Sequence, residues 1–164
     1  MVIQLAAAHA GLAHQNSMHS DQSRDSAGVD QLLESTLDSV DSAESAVLLL
    51  AGQAGFGEDA MHELGVAVRE AMVNAVAHGN RYNARKKVHL QVQRRTNGLW
   101  IRITDEGDGF DTKDVPDPLS QENLLRQSGR GLLLIRSFVD EFRIQPAQPK
   151  GTALEMIKYL SQQR

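Results

Sequence analysis

The sequence has no cysteine, few aromatic residues and no surplus of basic charge, and each shortage excludes a class of protein. Without cysteine there is no disulfide, no thiol nucleophile and no cysteine-ligated zinc or iron–sulfur site. The net charge of −4 provides no broad cationic field for a nucleic-acid backbone. No apolar run approaches the roughly 18 residues of a membrane span, and the apolar start lacks the basic head of a secretory signal. We therefore expect a cytoplasmic protein that binds neither DNA nor membrane.

The remaining composition is that of one ordinary folded domain. A chain of 164 residues buries roughly two thirds of its unfolded surface, so it folds without a disulfide or a structural metal. Residues 1–29 are rich in Ala, His, Ser, Gln and Asp without helical or strand periodicity, which predicts a disordered N-terminal tail. His9, His14 and His19 in this tail have no fourth ligand at a defined spacing. Residues 30–164 are predicted to form the domain.

Two helices are predicted from periodicity and from capping residues. The first should begin at Asp41 or Ser42 and end at Gly55. The second should begin at Glu58, whose negative charge suits a helix N-terminus, and continue to Gly79, where glycine and asparagine favour a helix end.

Alternating apolar and polar residues predict four strands, after a weakly signalled first one. An Asn-Gly pair at 97–98 predicts a tight hairpin, and a second hairpin ends the chain around the loop from Pro146 to Gly151. A short helix from Leu132 to Val139 precedes it. This order predicts an α+β fold, a two-layer sandwich with helices on one face of a mostly antiparallel sheet. The apolar positions are Leu32, Leu33 and Leu37; Val88, Leu90 and Val92; Leu99, Ile101 and Ile103; Phe142 and Ile144; Leu154 and Met156.

Two polar residues interrupt the apolar second helix between Leu64 and Ala77. Glu70 and Asn74 are four residues apart and share one helical face, which His78 extends by another turn. Burying a carboxylate and an amide without partners costs several kcal/mol. Either they form an internal hydrogen-bond network with His78, as an isolated pair usually would, or they face a pocket that holds a hydrated cation. In the pocket, Asn supplies an oxygen ligand and Glu a base.

An acidic turn follows the strand that carries Leu99 to Thr104. Asp105 is followed by Gly107 and Gly109, so the turn either is a simple loop or brings a carboxylate and bare backbone close to a flat ligand. A carboxylate in this position can accept a hydrogen bond from an exocyclic amine. The spacing does not match an EF-hand calcium loop.

A glycine pair at Gly129 and Gly131 stands immediately before the short helix. Backbone N–H groups at a helix start suit phosphate oxygens, although such a pair also serves packing or capping. The sequence lacks the Walker and Rossmann glycine patterns. Arg126 and Arg130 flank the pair, where an arginine either reaches an anionic phosphate or, as surface arginines more often do, is simply solvated.

Taken in order, four segments resemble the motifs of the GHKL ATP-binding superfamily, which includes gyrase, Hsp90, histidine kinases and MutL. The short length and the form of the first segment are most similar to the anti-sigma factor serine/threonine kinases. The resemblance covers residues 32–160 and implies the Bergerat ATP-binding fold. The four segments are Glu70-Ala-Met-Val-Asn74-Ala-Val-Ala-His78-Gly79, Asp105-Glu-Gly107-Asp-Gly109-Phe, Gly129-Arg130-Gly131-Leu132 and Gly151-Thr152.

The resemblance implies ATP and Mg²⁺ as cofactors. Asn74 would coordinate the Mg²⁺ that bridges the phosphates, and Glu70 would act as the base or orient the attacking hydroxyl. Residues 112–128 would form an ATP lid. The phosphate-binding turn would comprise Gly129, Arg130, Gly131 and Leu132.

At the other end of the nucleotide, the resemblance implies that Asp105 binds the adenine amine. Gly107 and Gly109 would permit the close approach of the base, and Thr152 would support the same end. The kinase subgroup often has an arginine where this chain has Gln127. Either Arg126 or Arg130 would replace it, or the γ-phosphate would be held less tightly and nucleotide binding would be better supported than kinase activity.

The implied function is that of an ATP-dependent serine kinase that phosphorylates a STAS-type anti-anti-sigma antagonist and sequesters a sigma factor. The subgroup is typically dimeric, so a homodimer is also expected. One alternative is a non-catalytic nucleotide-sensing module that binds a protein, although such a module needs no base at Glu70. A detached histidine-kinase ATPase domain is the other alternative, but the chain has no phosphoacceptor motif of the form H-E/D-x-x-x-P.

Overall fold

Five strands form one antiparallel sheet in the order β1-β2-β3-β5-β4, in a computed structural model that describes residues 28–109 and 130–161. The predicted α+β sandwich is confirmed, with helices packed on one face of the sheet. The elements are β1 (Gly28–Glu34), α1 (Leu37–Ala54), α2 (Glu58–Val73), a π-helical segment (Asn74–Gly79), β2 (Lys87–Arg95), β3 (Gly98–Thr104), α3 (Gly131–Phe138), β4 (Glu141–Pro146) and β5 (Thr152–Tyr159).

The core lies between the sheet and the helices because apolar side chains alternate along the strands. In one row across the sheet, Val92 pairs with Ile101 and Ile101 with Met156, and all three side chains are buried. The neighbouring positions point to the opposite face, which carries polar residues such as Gln91 and Arg102. This one-sided pattern is typical of an antiparallel sheet with a single covered face.

Helix α2 packs on this core through Leu64, Val68 and Met72, which follow one another at four-residue spacing and are fully buried. The helix continues past Val73 as a π-helical segment, so the helical stretch reaches Gly79 as predicted. Gly55 ends α1 with a left-handed φ of 92°, which also agrees with the prediction.

The start of α1 was predicted wrongly. The helix begins at Leu37 rather than at Asp41 or Ser42, and Leu37 is not part of a strand. The buried residues Val40, Ala43 and Val47 already follow helical spacing, so the apolar face begins before the expected caps. The extended Thr36 occupies the N-cap position.

Two further boundaries differ from the expectations. Strand β1 begins at Gly28, two residues inside the predicted tail, because Gly28 pairs with Gln93 at the far part of β2. The hairpin between β2 and β3 turns at positions 96–97, since Gly98 already pairs with Arg95. The rest of the predicted tail lies outside the described residues.

Ion pairs join the two long helices to each other and the helix layer to the sheet. Arg69 of α2 contacts Asp41 of α1 at 2.8 Å. Lys158 of β5, whose side chain is 14% exposed, contacts Glu63 of α2 at 2.5 Å and donates to the carbonyl of Phe138 at 2.8 Å. Along residues 28–109 and 130–161, no helix combines the length and the apolar character that crossing a bilayer requires.

Candidate functional site

A cavity of about 310 Å³ opens between the π-helical segment, the end of β3 and the start of α3. It brings together five of the residues that the resemblance implies for nucleotide binding and that are far apart along the chain: Asn74, Asp105, Gly109, Leu132 and Thr152. The other lining residues are Ala71, Ala75, His78, Gly79, Arg81, Ile103, Asp108, Ile144 and Leu154.

Asp105 lies at the end of β3 and is held in place by backbone groups. Its Oδ1 accepts hydrogen bonds from the N–H groups of Gly107 at 2.8 Å and Thr152 at 3.2 Å. Its own N–H donates to the Thr152 carbonyl at 2.9 Å. The residue is only 6% exposed. Burial raises the pKa of this carboxyl, and the two N–H donors oppose the shift.

Glycines allow the backbone to close around this carboxylate. A Cβ at Gly79 would lie 2.4 Å from Asp105 Cγ, and a Cβ at Gly151 would lie 1.9 Å from the Asp105 carbonyl oxygen. Gly151 also has a φ of +115°, which side chains rarely tolerate. We call Asp105, Gly79 and Gly151 the aspartate end of the cavity.

Gly107 was expected to permit the close approach of a ligand, but it does not lie in the cavity wall. It is buried, and a Cβ there would lie 2.4 Å from the Gly79 carbonyl oxygen. Its missing side chain therefore permits contact between two protein segments rather than the approach of a ligand. Gly109 does line the cavity, with a φ of +73°.

Asn80 is a buried residue whose position next to Asp105 the sequence did not indicate. It is 1% exposed. Its Nδ2 donates to Ser35 Oγ at 2.9 Å and to the Lys87 carbonyl at 2.8 Å. Its Oδ1 accepts from the Glu106 N–H at 2.8 Å. The side chain thus joins the end of the π-helical segment to the residue that follows Asp105.

Asn74 lines the cavity at its other end. Glu70 and Gly131 lie next to Asn74 without lining the cavity, and we call these three residues the amide end. A Cβ at Gly131 would lie 2.8 Å from Glu70 Oε2 and 3.7 Å from Asn74 Nδ2. The start of α3 therefore packs directly against Glu70 and Asn74, and a side chain at position 131 would have to displace the carboxylate of Glu70.

The internal network of Glu70, Asn74 and His78 does not form in the described part of the chain. His78 is exposed, and Asn74 Nδ2 is buried without a hydrogen-bond partner. A buried amide nitrogen without a partner costs about 1–3 kcal/mol. A buried polar group without a protein partner often receives its hydrogen bond from a bound ligand, ion or water.

The amide end fits a Mg²⁺ ion that arrives with a polyphosphate. Among the described residues, no three His, Cys, Asp or Glu side chains are grouped so that they could hold a metal. Mg²⁺ commonly takes only one or two protein ligands together with phosphate oxygens and water. Asn74 lines the cavity, and its carboxamide oxygen is a type of ligand that Mg²⁺ accepts. Its unpartnered Nδ2 can donate a hydrogen bond to an oxygen acceptor such as a phosphate.

The remaining predicted site residues are placed as follows. Leu132 is buried in the cavity wall, whereas Arg130 is exposed and does not line the cavity. Gly129, Arg126, Gln127 and the predicted lid at 112–128 lie outside the described residues.

Comparison with known proteins assigns the family. The sequence profile of the family described as "Histidine kinase-like ATPase domain" matches residues 33–158. The chain belongs to this family. This membership confirms the resemblance to the GHKL ATPases that the four motifs indicated.

Two relatives within the histidine kinase-like ATPases come from Bacillus subtilis (strain 168). The anti-sigma F factor is 31% identical over 108 residues, which cover 65% of this chain and 74% of that protein. The serine-protein kinase RsbW is 30% identical over 121 residues, which cover 70% of this chain and 74% of that protein. Among solved structures, the mycobacterial sensor histidine kinase MprB superposes with a TM-score of 0.49 at 21% identity, over 80% of this chain and 97% of that chain.

Proposed function

We propose that the chain is an ATP-dependent serine kinase that phosphorylates an anti-anti-sigma antagonist of the STAS type and, when free of it, sequesters a sigma factor. The family membership and the relative named as a serine-protein kinase support protein kinase activity. The relative named as an anti-sigma factor supports the regulatory role. We expect the protein to act in the cytoplasm as a homodimer and to regulate transcription through these partners.

The observation that carries the proposal is that one cavity contains both a buried aspartate and an amide without a partner. At the aspartate end, Asp105 would accept a hydrogen bond from the adenine amine, while Thr152 and the bare backbone of Gly109 border the base. Four apolar side chains would cover the base: Ile103, Leu132, Ile144 and Leu154.

At the amide end, Asn74 would hold the Mg²⁺ of the nucleotide through its carboxamide oxygen. When bound, the ion neutralises phosphate charge during transfer. Glu70, which lies beside Gly131, would take the proton of the substrate serine hydroxyl as its oxygen bonds to the γ-phosphorus and ADP leaves. A carboxylate at this position has no role in simple nucleotide binding, so it favours a kinase over a non-catalytic module.

The test is transfer of label from ATP to a protein. Purified chain is incubated with radiolabelled ATP, Mg²⁺ and, in turn, each product of the neighbouring genes in its operon. We expect one small partner to acquire label on serine. Glu70→Gln should abolish labelling, whereas Glu58→Gln, which changes an exposed glutamate of the same helix, should not. Nucleotide binding without any transfer would contradict the kinase proposal, and light scattering of the same samples tests the homodimer.

A further inference from the structure

Arg81 lies at the rim of the cavity, at the aspartate end. It lines the cavity two residues after Gly79, which packs against Asp105. It also lies near Asp108, three residues after Asp105. The sequence motifs did not mark Arg81, and nothing in the kinase chemistry above uses it.

The backbone at Arg81 is one that glycine favours. Arg81 and Tyr82 follow the π-helical segment with φ angles of +54° and +56°. The Tyr82 N–H donates to the Val76 carbonyl at 2.9 Å, so the left-handed residues end the helix as a C-terminal glycine usually does. Because a side chain is disfavoured in this conformation, helix termination does not explain an arginine at this position.

The ion pair of Arg81 does not explain it either. Asp108 contacts Lys150 at 2.7 Å but Arg81 only at 3.8 Å. The Arg81 side chain is 78% exposed, and exposed pairs of this kind contribute little to stability. A single contact at this distance also leaves the planar face of the guanidinium available for a flat ligand.

The cavity offers a flat ligand a matching environment at this end. Apolar side chains such as Ile103 and Leu154 form the inner wall, and Asp105 faces the ligand's edge. Arg81 and Asp108 belong to the exposed rim, so a base whose inner face contacts the apolar wall turns its outer face toward them. A guanidinium stacks well on the face of an aromatic ring.

We propose that Arg81 is a nucleobase-binding residue that stacks its guanidinium on the outer face of the adenine ring. This inference rests on the proposed function, since it takes an adenine nucleotide as the ligand.

The test compares Arg81→Gly with Tyr82→Gly, which changes the adjacent residue of the same left-handed pair but not a residue that lines the cavity. Calorimetry measures the affinity for adenosine, ADP and Mg-ATP, and thermal unfolding measures stability. We expect Arg81→Gly to weaken adenosine binding by roughly 3- to 30-fold. ADP and ATP should lose affinity by the same factor, and the melting midpoint should be unchanged or higher because glycine suits the backbone. Tyr82→Gly should leave all three affinities unchanged.

A third variant separates stacking from charge. Arg81→Lys keeps the positive charge and loses the planar group, so it should weaken adenosine binding as Arg81→Gly does. Unchanged adenosine affinity in Arg81→Gly would overturn the inference. A loss confined to ADP and ATP, or full affinity in Arg81→Lys, would also overturn it, because charge alone would then explain the binding.

The proposed function fails in a different way. If the unsubstituted protein bound neither adenosine nor Mg-ATP, the nucleotide site itself would be refuted, and the role of Arg81 with it. If the unsubstituted protein binds both ligands and Arg81→Gly binds them equally well, only the role of Arg81 is refuted.

Discussion

The two ends of the cavity differ in how completely the protein satisfies its own polar groups. At the aspartate end, Asp105 Oδ1 accepts two backbone hydrogen bonds and the nearby Asn80 forms three. At the amide end, Asn74 Nδ2 is buried without a partner in the described part of the chain. The aspartate end is therefore organised by the protein's own hydrogen bonds, whereas the amide end retains a buried donor that the described residues do not satisfy.

This difference separates two kinds of contribution to function. A preorganised acceptor costs little to bind to, so the aspartate end should determine affinity and the choice of base. Under the proposed function, the amide end would contact the groups that change charge during phosphoryl transfer, so it should determine the rate. Substitutions at the two ends should therefore affect different measurements.

The largest effect is expected from Glu70→Gln at the amide end. The variant removes the proposed base, and the rate of phosphoryl transfer should fall by about 10²- to 10⁴-fold. Mg-ATP affinity should remain unchanged, because glutamine has nearly the same shape. Single-turnover transfer and calorimetry measure the two quantities. Full activity in the variant would leave Glu70 without a catalytic role.

Asp105→Asn should produce the next largest effect, on binding rather than on rate. Loss of a charged acceptor weakens a hydrogen bond enough to reduce adenosine affinity by roughly 10- to 100-fold. Calorimetry with adenosine alone isolates the aspartate end from the phosphates. The control is Asp59→Asn, which changes an exposed carboxylate far from the cavity lining. Equal affinities in both variants would remove the adenine assignment.

Asn80→Ala should show how much the aspartate end depends on its internal hydrogen bonds. The variant leaves the Glu106 N–H and the Lys87 carbonyl without their partner, so the free energy of unfolding should fall by about 1–3 kcal/mol. Denaturant titration measures this change, and adenosine binding should weaken with it. Asn83→Ala is the matched control, because Asn83 is exposed and its side chain accepts from the nearby Arg85 N–H, two residues away. A similar small loss in both variants would contradict a specific role for Asn80.

The smallest effect concerns pH. Burial raises the pKa of Asp105, so this carboxyl takes up its proton at a higher pH than an exposed aspartate. Adenosine affinity should therefore decrease as the pH falls, and the loss should reach about tenfold one pH unit below that pKa. His78 also lines the cavity, so the titration is repeated in a His78→Asn background. The raised pKa would be contradicted if adenosine affinity stayed constant down to the pH at which an exposed aspartate takes up its proton.

Local patterns in the sequence predicted the parts of the fold that local interactions determine. The alternation around Leu90 and Ile101 identified β2 and β3, and the four-residue spacing identified the polar row of Glu70 and Asn74. That spacing by itself favoured the internal network and left the cavity as the alternative. Only the close packing of Gly131 on α2 placed the row beside a second segment.

The features that sequence patterns missed depend on contacts between distant residues. In the sequence, Asn80 looks like an ordinary residue at a helix end. Its burial depends on contacts with Ser35, 45 residues away, and with Glu106, 26 residues away. Strand β1 was weakly marked because its side chains are mostly exposed, so pairing with β2 rather than an apolar pattern determines its length. Arg81 lies just after a helix end, in a left-handed backbone conformation where glycine is usually found.

The most direct test of the account compares ATP and adenosine binding in Asn74→Ala. The central claim is that Asn74 and Asp105 act on opposite ends of one nucleotide. Calorimetry with and without Mg²⁺ should show that the ion strengthens ATP binding to the unsubstituted protein. In the variant this gain should disappear, while adenosine affinity stays the same. A variant that keeps the full Mg²⁺ gain, or that loses adenosine affinity in equal measure, would contradict the claim.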